Sequence, residues 1–366
     1  MGAGMGALRR PKLKSGLARL RRGPSTVQFG LDPDRAVLLT GVDATLTSCL
    51  DLLDGSTHPA ALPAVLGVPA ERVEALLEVL ASADLLEDAA GPDGWHELPL
   101  AARDRLAPDL ASLTQVLPGP DAGKAAFARR LTTRVEIRGG GRVGATLAGL
   151  LAAAGIGEVG VVDAAPTTAA DLTPGGLRPP DLGVPRGAAA TAAAARHAPD
   201  PARSPRPGRT APAAASPAAG PNLVVLADQP PAVGAGDALV RAGTPHLVAA
   251  LRDTEGLVGP LVVPGRSSCL HCHDLARADR DRAWPHLAAQ LALPRPRAAG
   301  SAPCDVVLAA AVAAHAALQA LAFLDTGVTS AVDGTLHIRL PGGTVRRRTW
   351  RGHPGCGCTW EAPARP

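Results

Sequence analysis

Four of the six cysteines stand in two tight pairs, Cys269-Leu270-His271-Cys272 and Cys356-Gly357-Cys358. Each pair offers two soft ligands from one short loop, and a closed tetrahedral zinc site needs four. Gly355 and Gly357 allow the second loop to fold around an ion. No apolar segment follows Arg9-Arg10, so no secretion signal is read there. In that setting close pairs are metal ligands rather than disulfides. Cys269, Cys272, Cys356 and Cys358 are therefore the expected ligands of a structural Zn2+, which can contribute on the order of 10 kcal/mol to folding. His271 and His273 are near enough to substitute, although solvent-facing roles explain them as simply. Cys49 falls on an apolar helix face and reads as core. Cys304 precedes Asp305, the expected cap of a long apolar helix. A helix N-terminus there favours thiolate, whereas a small buried thiol is the plainer reading.

The second constellation is a glycine loop. Gly139, Gly141 and Gly144 spell GxGxxG after the short strand Val135 to Arg138. Leu147, Leu150, Leu151 and Ala154 put an apolar face on the helix that follows, and Gly155 ends it. Val159 to Val162 is a second strand that leads into Asp163. The first glycine permits the tight turn, the second lets backbone approach phosphate, and the third lets helix and strand pack closely. The helix start offers free N–H groups to phosphate oxygens, and Asp163 is placed to bind ribose hydroxyls. The motif alone does not separate ATP from NAD or FAD, and a dinucleotide-dependent oxidoreductase is compatible with it.

These groups need elements to hold them. Further strands are expected at Leu223–Leu226, His246–Leu251 and Val258–Val263, and a hairpin at Thr335–Leu340 and Gly343–Trp350. Near the N-terminus, Thr26 to Gly30 is strand-like and Asp43 can cap a helix through Leu46, Cys49, Leu50 and Leu53. A short helix covers Leu62 to Leu66, and Pro69 opens another with Val73, Leu76, Leu77 and Leu80 on one face. This pattern suggests a winged-helix-like unit. Glu71, Glu74 and Glu78 share a face of its last helix and would repel phosphates, so the unit is expected to dock a peptide or simply to pack. The organisation read from the sequence is a basic flexible arm at 1–24, a winged-helix-like module at 25–92, a helical connector at 93–130 and a nucleotide-binding domain at 131–360. That domain carries a low-complexity insert at 178–221, ordered at most as one alanine-rich helix after Arg186.

Composition excludes several classes. Of 366 residues 46% are hydrophobic and only 2% aromatic, with no Tyr, so the core must be built from Ala, Leu and Val, as suits a helix-covered parallel sheet. Taking the seven basic residues of the first 24 positions out of the formal net charge of +4 leaves −3. The body is thus no nucleic-acid binder. The longest apolar stretch, Val306 to Leu324, is mostly Ala and contains His315 and Gln319, which fits a buried crossover helix better than a membrane span. A cytoplasmic protein with no nucleic-acid and no membrane partner is expected.

The glycine loop and the cysteine pairs, in this order, resemble the ThiF/MoeB/HesA family and the ubiquitin-activating enzymes over about residues 131–360. The resemblance rests on Gly139-Gly140-Gly141-Arg142-Val143-Gly144, on Gly157-Glu158-Val159-Gly160-Val161-Val162-Asp163, on Val258 to Gly265 leading into the first cysteine pair, and on the closing Cys356-Gly357-Cys358. It implies an α/β fold: a Rossmann-like, ThiF-type sheet with helices on both faces and a zinc-clamped C-terminal hairpin, here preceded by the small winged-helix-like α+β module. It also implies ATP-dependent adenylation of the C-terminal carboxylate of a small carrier protein or peptide, with Mg2+. By the same resemblance Asp163 holds ribose, the glycine loop holds phosphates, and Asp228 matches a magnesium-associated aspartate. Asp171-Leu172 stands where the family has Asn-Leu, Arg186 where it has Lys, and Pro174 where it has a phosphate-binding Arg. In parts of the family a cysteine placed like Cys304 accepts the activated acyl group. The N-terminal module resembles that of ThiF-like partners of azole-forming cyclodehydratases. This implies an alternative: a catalytically silent scaffold that binds a precursor leader peptide. A homodimer is expected by analogy.

Overall fold

The structure is a computed structural model describing residues 8–90, 95, 97–200, 220–291 and 303–359. The chain divides into two compact units, Met1–Ala128 and Arg129–Pro366.

In the first unit, β1 (Pro11–Leu13) pairs antiparallel with β5 (Leu86–Asp88), and β2 (Arg19–Gly23), β3 (Thr26–Phe29) and β4 (Val37–Thr40) form a meander. Between them lie α1 (Ala44–Leu52), α2 (Leu62–Leu66) and α3 (Ala70–Ser82). Asp43 caps α1 by accepting the Leu46 N–H at 2.9 Å. Val27, Phe29, Cys49, Leu50, Leu62, Val73, Leu76 and Leu80 make the core, which places Cys49 inside as packing. Glu71, Glu74 and Glu78 are exposed on α3. The helices α4 (Leu100–Val116) and α5 (Ala122–Thr132) follow, and α5 crosses the boundary between the units.

The expected flexible arm is corrected here: its described part is folded. Arg9 and Arg10 donate backbone N–H groups to the Asp88 carboxylate at 3.1 and 3.0 Å, Lys12 meets Glu87 at 3.0 Å, and Lys14 meets Asp84 at 2.7 Å. The two lysines are matched by acids 70 or more positions away in sequence, a pairing that no local reading of charge detects. Residues 1–7 lie outside the described residues.

The second unit is built on a seven-stranded sheet. Its strands are β6 (Arg134–Arg138), β7 (Glu158–Val162), β8 (Leu223–Asp228), β9 (His246–Arg252), β10 (Glu255–Val262), β11 (Gly334–Arg339) and β12 (Thr344–Thr349), in the order β12-β11-β10-β9-β8-β6-β7. Four strands, β7, β6, β8 and β9, are parallel. Only Asp253 and Thr254 join β9 to β10, too short for a crossover, so from β10 onward the sheet is antiparallel. One face is covered by α6 (Arg142–Ala153), α7 (Arg186–His197) and α11 (Val306–Thr326), and carries the main core. The other face meets α8 (Asp237–Arg241), α9 (Leu270–Ala278) and α10 (Trp284–Leu291), where Leu239 and Leu270 pack on Val224 and Leu226.

Among the described residues α11 alone is long and apolar enough to cross a membrane. Its Leu308, Ala309, Val312, Ala313, Ala316 and Ala320 are buried in the core instead. The alanine-rich α7 is ordered because Ala189, Ala190, Ala193 and Ala194 pack on that core. Residues 201–219 of the expected low-complexity insert lie outside the described residues.

Candidate functional site

The strand order turns at β6: the chain moves to β7 on one side and later to β8 on the other. The crevice at the carboxyl ends of such strands is where ligands of open α/β sheets bind. Gly139, Gly141 and Gly144 lie there, joining β6 to α6. A Cβ on Gly144 would stand 1.9 Å from the Gly139 carbonyl oxygen, so only glycine lets the helix start so close to the strand. Gly139 itself has φ +112°, and a Cβ there would meet the Ala227 oxygen at 2.6 Å.

Asp228 ends β8 with φ 71°, a left-handed turn that aims its side chain back at the loop. Its Oδ2 accepts the Gly141 N–H at 2.8 Å, and its Oδ1 accepts those of Val143 at 2.9 Å and Gly144 at 3.3 Å. The helix start therefore does not present free N–H groups, as read from the motif; an internal carboxylate takes three of them. Burial pushes the Asp228 pKa up, against the pull of these three donors.

Asp163, Asp171 and Arg186 come together beside the loop. Arg186 meets Asp163 at 3.0 Å and Asp171 at 3.1 Å. Asp163 also accepts the Gly140 and Ala165 N–H groups, at 2.9 and 3.0 Å. Asp171 caps its own turn through the Thr168 N–H and hydroxyl, both at 2.8 Å. Arg142, the first residue of α6, donates to the Cys304 carbonyl at 2.6 Å, while its buried Nε has no hydrogen-bond partner. This guanidinium is a site residue that the glycine spacing did not single out. Cys304 is half-buried at the edge of the core. Burial raises its thiol pKa, Arg142 lowers it, and Asp228, Asp171 and Asp305 raise it further. The direction is opposite to the thiolate that a helix N-terminus alone would favour.

The cysteine pairs meet. All four Sγ atoms lie within 4.8 Å of one another, with separations of 3.8 Å for Cys269–Cys272, 3.5 Å for Cys269–Cys356 and 3.3 Å for Cys272–Cys358. A tetrahedron with metal–sulfur bonds of about 2.3 Å has edges of about 3.8 Å, so the set fits one ion. Cys272 also accepts the His353 N–H at 3.3 Å. His273 is not a ligand: its ring stacks on Trp350 with centroids 4.1 Å apart, and Ser268 meets its Nε2 at 3.3 Å.

A cavity of about 660 Å³ opens on the sheet face that carries α9 and α10. Its lining begins at Gln229, directly after Asp228, and includes Pro303, directly before Cys304. Asp228, Cys304 and the glycine loop do not themselves line it, but two of its lining residues adjoin Asp228 and Cys304 along the chain. Val248, Leu257 and Ala288 give it an apolar floor, and Trp284, Trp350 and Arg277 form a side. Arg277 lies 5.0 Å from each of the two Trp ring centroids and is paired with Asp274 at 3.1 Å. The sequence signal for this feature was the rarity of Trp, four residues in a chain with 2% aromatics.

At the far end of the same wall Glu255 pairs with Arg252, His337 and Arg339, at 2.9, 3.1 and 2.8 Å. Burial raises its pKa, but hydrogen bonds from Arg339, His337 and Arg252 prevail and hold it at about 2, below its usual 4.5. A depressed carboxylate stabilises the fold fully above the unfolded value and loses that contribution as pH falls toward the folded one. Glu255→Gln is therefore expected to cost about 2 kcal/mol near neutral pH, less than the full shift because the site is partly exposed, and nothing below pH ~2. Urea unfolding from pH 2 to 7 checks this, and parallel profiles for the two proteins would refute it.

Residues 114–358 match the model of the ThiF family. No curated protein matches the chain. Among solved structures it is similar to E. coli MccB in complex with AMPCPP and MccA, at 13% identity and a TM-score of 0.68, covering 96% of this chain and 100% of that one. It is also similar to E. coli MccB with ATP, at 13% identity and a TM-score of 0.66, covering 95% and 99%. The heterocyclase TruD matches at 16% identity and a TM-score of 0.59, over 96% of this chain but 43% of that one. At these identities the likeness is one of fold. With a family model spanning well over half of its length, a glycine loop at the sheet's turning point and four converging cysteines, this chain belongs to the ThiF family.

Proposed function

We propose that this protein binds the C-terminal segment of a peptide or small carrier protein and activates its terminal carboxylate with ATP. The observation that carries this reading is the cavity that runs from between Trp284 and Trp350 to Gln229 and Pro303, beside Asp228 and Cys304. In this reading an extended tail lies in the cavity on the sheet face and its end passes Gln229 and Pro303 toward the glycine loop. E. coli MccB, described as a microcin C7 biosynthetic enzyme and seen with ATP and with N-formylated MccA, shares the fold and supports the reading.

In this reading a terminal carboxylate oxygen attacks the α-phosphorus of ATP, forming the acyl adenylate and releasing pyrophosphate. The chain's part is positioning and charge. Asp163, fixed by the Gly140 N–H and Arg186, faces the ribose. Arg142 and Arg186 are the cations nearest the phosphates. Bound Mg2+ would neutralise charge on the polyphosphate. Asp228 fits it, since three backbone donors occupy three of its roughly four lone-pair sites and leave one free. Zn2+ fits the four cysteines and would fix the loop after β12 to the start of α9.

A second reading, a silent scaffold that binds a leader peptide for a cyclodehydratase, is favoured by one observation. The cations at the loop are already committed, Arg186 to two carboxylates and Arg142 to a carbonyl, and Pro174 stands at the position of the family's Arg. Exchange of labelled pyrophosphate into ATP, with a pool of random octapeptides bearing free C-terminal carboxylates, separates the two. Peptide-stimulated exchange at least tenfold over background is expected; peptide binding without exchange would favour the scaffold.

A further inference from the structure

We propose that the cavity selects peptides with an acidic side chain, and that Arg348 on the edge strand β12 is the residue that reads it. This rests on the proposal that a peptide tail occupies the cavity. Cross-strand register puts Arg346 opposite His337 and Arg348 opposite Thr335. Thr335 and His337 line the cavity, so Arg346 and Arg348 stand on the same face of the sheet, while Leu336 and Ile338 point into the core on the other. Arg347, between them, is used elsewhere, donating to the Ser330 and Val332 carbonyls at 2.8 and 3.2 Å.

Each arginine on this wall has a carboxylate partner until β12 is reached. Arg252 and Arg339 share Glu255, and Arg277 has Asp274. Arg346 and Arg348 have no carboxylate partner among the described residues. The unpaired acid of the lining, Asp253, lies in the β9–β10 turn, level with Arg339. Arg348 is four residues along from that level, or roughly 14 Å at strand spacing. With Glu255 and Asp253 set against Arg252 and Arg339, the wall is close to neutral at that end and carries uncompensated positive charge at the other.

The Arg348 side chain is also held in place. Its guanidinium lies 4.2 Å from the Trp350 ring centroid. Trp350 is buried, donates its Nε1–H to Thr335 at 3.0 Å and stacks on His273. An arginine fixed on an aromatic ring keeps its planar fork of donors free, and that fork suits a carboxylate. Side chains alternate along a strand, so an extended peptide in the cavity would present one acidic residue to Arg348 while its neighbours meet the apolar floor.

The test is a positional-scanning library of octapeptides with free C-terminal carboxylates, enriched on the full-length protein. Asp and Glu should be enriched at one internal position, about tenfold over Asn and Gln, the size of one charge-assisted contact at a part-exposed site. The preference should shrink in 1 M salt. Arg348→Glu should reverse it to Lys and Arg at the same position with total binding retained, and Arg348→Gln should abolish it. Enrichment with no acidic preference, or a preference that Arg348→Glu leaves unchanged, would overturn this inference alone. No enrichment of any peptide would overturn the cavity reading as well. β12 is exposed throughout, so both variants should fold; equal melting temperatures confirm that any change is one of recognition.

Discussion

Replacing Cys272 with serine is expected to release one equivalent of zinc per chain and to lower the melting temperature by 10 °C or more. The four sulfurs pack with Val262 and Val240 in a small cluster set apart from the main core. Cys356 and Cys358 lie in a loop beyond the last strand, tied to α9 by the contacts among the cysteines and by His353, which meets Asp279 at 2.9 Å. A bound ion would join four groups there, against the single side-chain pair that His353 makes with Asp279. Losing a structural zinc can remove on the order of 10 kcal/mol, and even half of that is about 10–20 °C in a unit of this size. The effect should also reach the cavity. His273 follows a cysteine in α9 and stacks on Trp350, which carries Arg348 on its ring and lies 5.0 Å from Arg277. Chelation should therefore red-shift tryptophan emission and weaken peptide binding together. Zinc-free protein with an unchanged melting temperature would refute the structural role.

The second large effect is expected at Asp228. Asp228→Asn keeps the shape and one oxygen acceptor, so the fold should survive with a loss of about 1–2 kcal/mol. Peptide-dependent pyrophosphate exchange should fall at least 100-fold, because the amide cannot replace a carboxylate beside Mg2+. Asp228→Ala leaves three N–H groups of the α6 start without their acceptor in a buried place, and should cost about 3 kcal/mol or more in denaturant unfolding. Full exchange activity in Asp228→Asn would remove this residue from the chemistry and leave it as a helix cap.

Much of this was legible in the chain itself. Continuous apolar runs mark β8 and β9, which are buried on both faces, and alternation with glycine punctuation marks β6 and β7, which are buried on one. The glycine spacing locates the loop because no side chain fits between Gly139 and Gly144. The cysteine spacing identifies the ligands because two close pairs can converge from loops far apart in sequence.

What the tertiary structure decided was partnership. Sequence spacing shows that Asp228 ends a strand, but only the packed sheet shows it occupying the N–H groups that the motif alone leaves for phosphate. The basic N-terminal stretch reads as a solvated tail until β1 pairs with β5, Lys12 and Lys14 find Glu87 and Asp84, and Asp88 takes the Arg9 and Arg10 N–H groups. Arg348 is one of three consecutive arginines until the register of β11 and β12 turns it toward the cavity and Arg347 away. Periodicity along the chain reports which face of an element is buried, since burial repeats with the local geometry. It carries no term for which distant charge stands opposite, and those long-range encounters are what give each of these residues its chemistry.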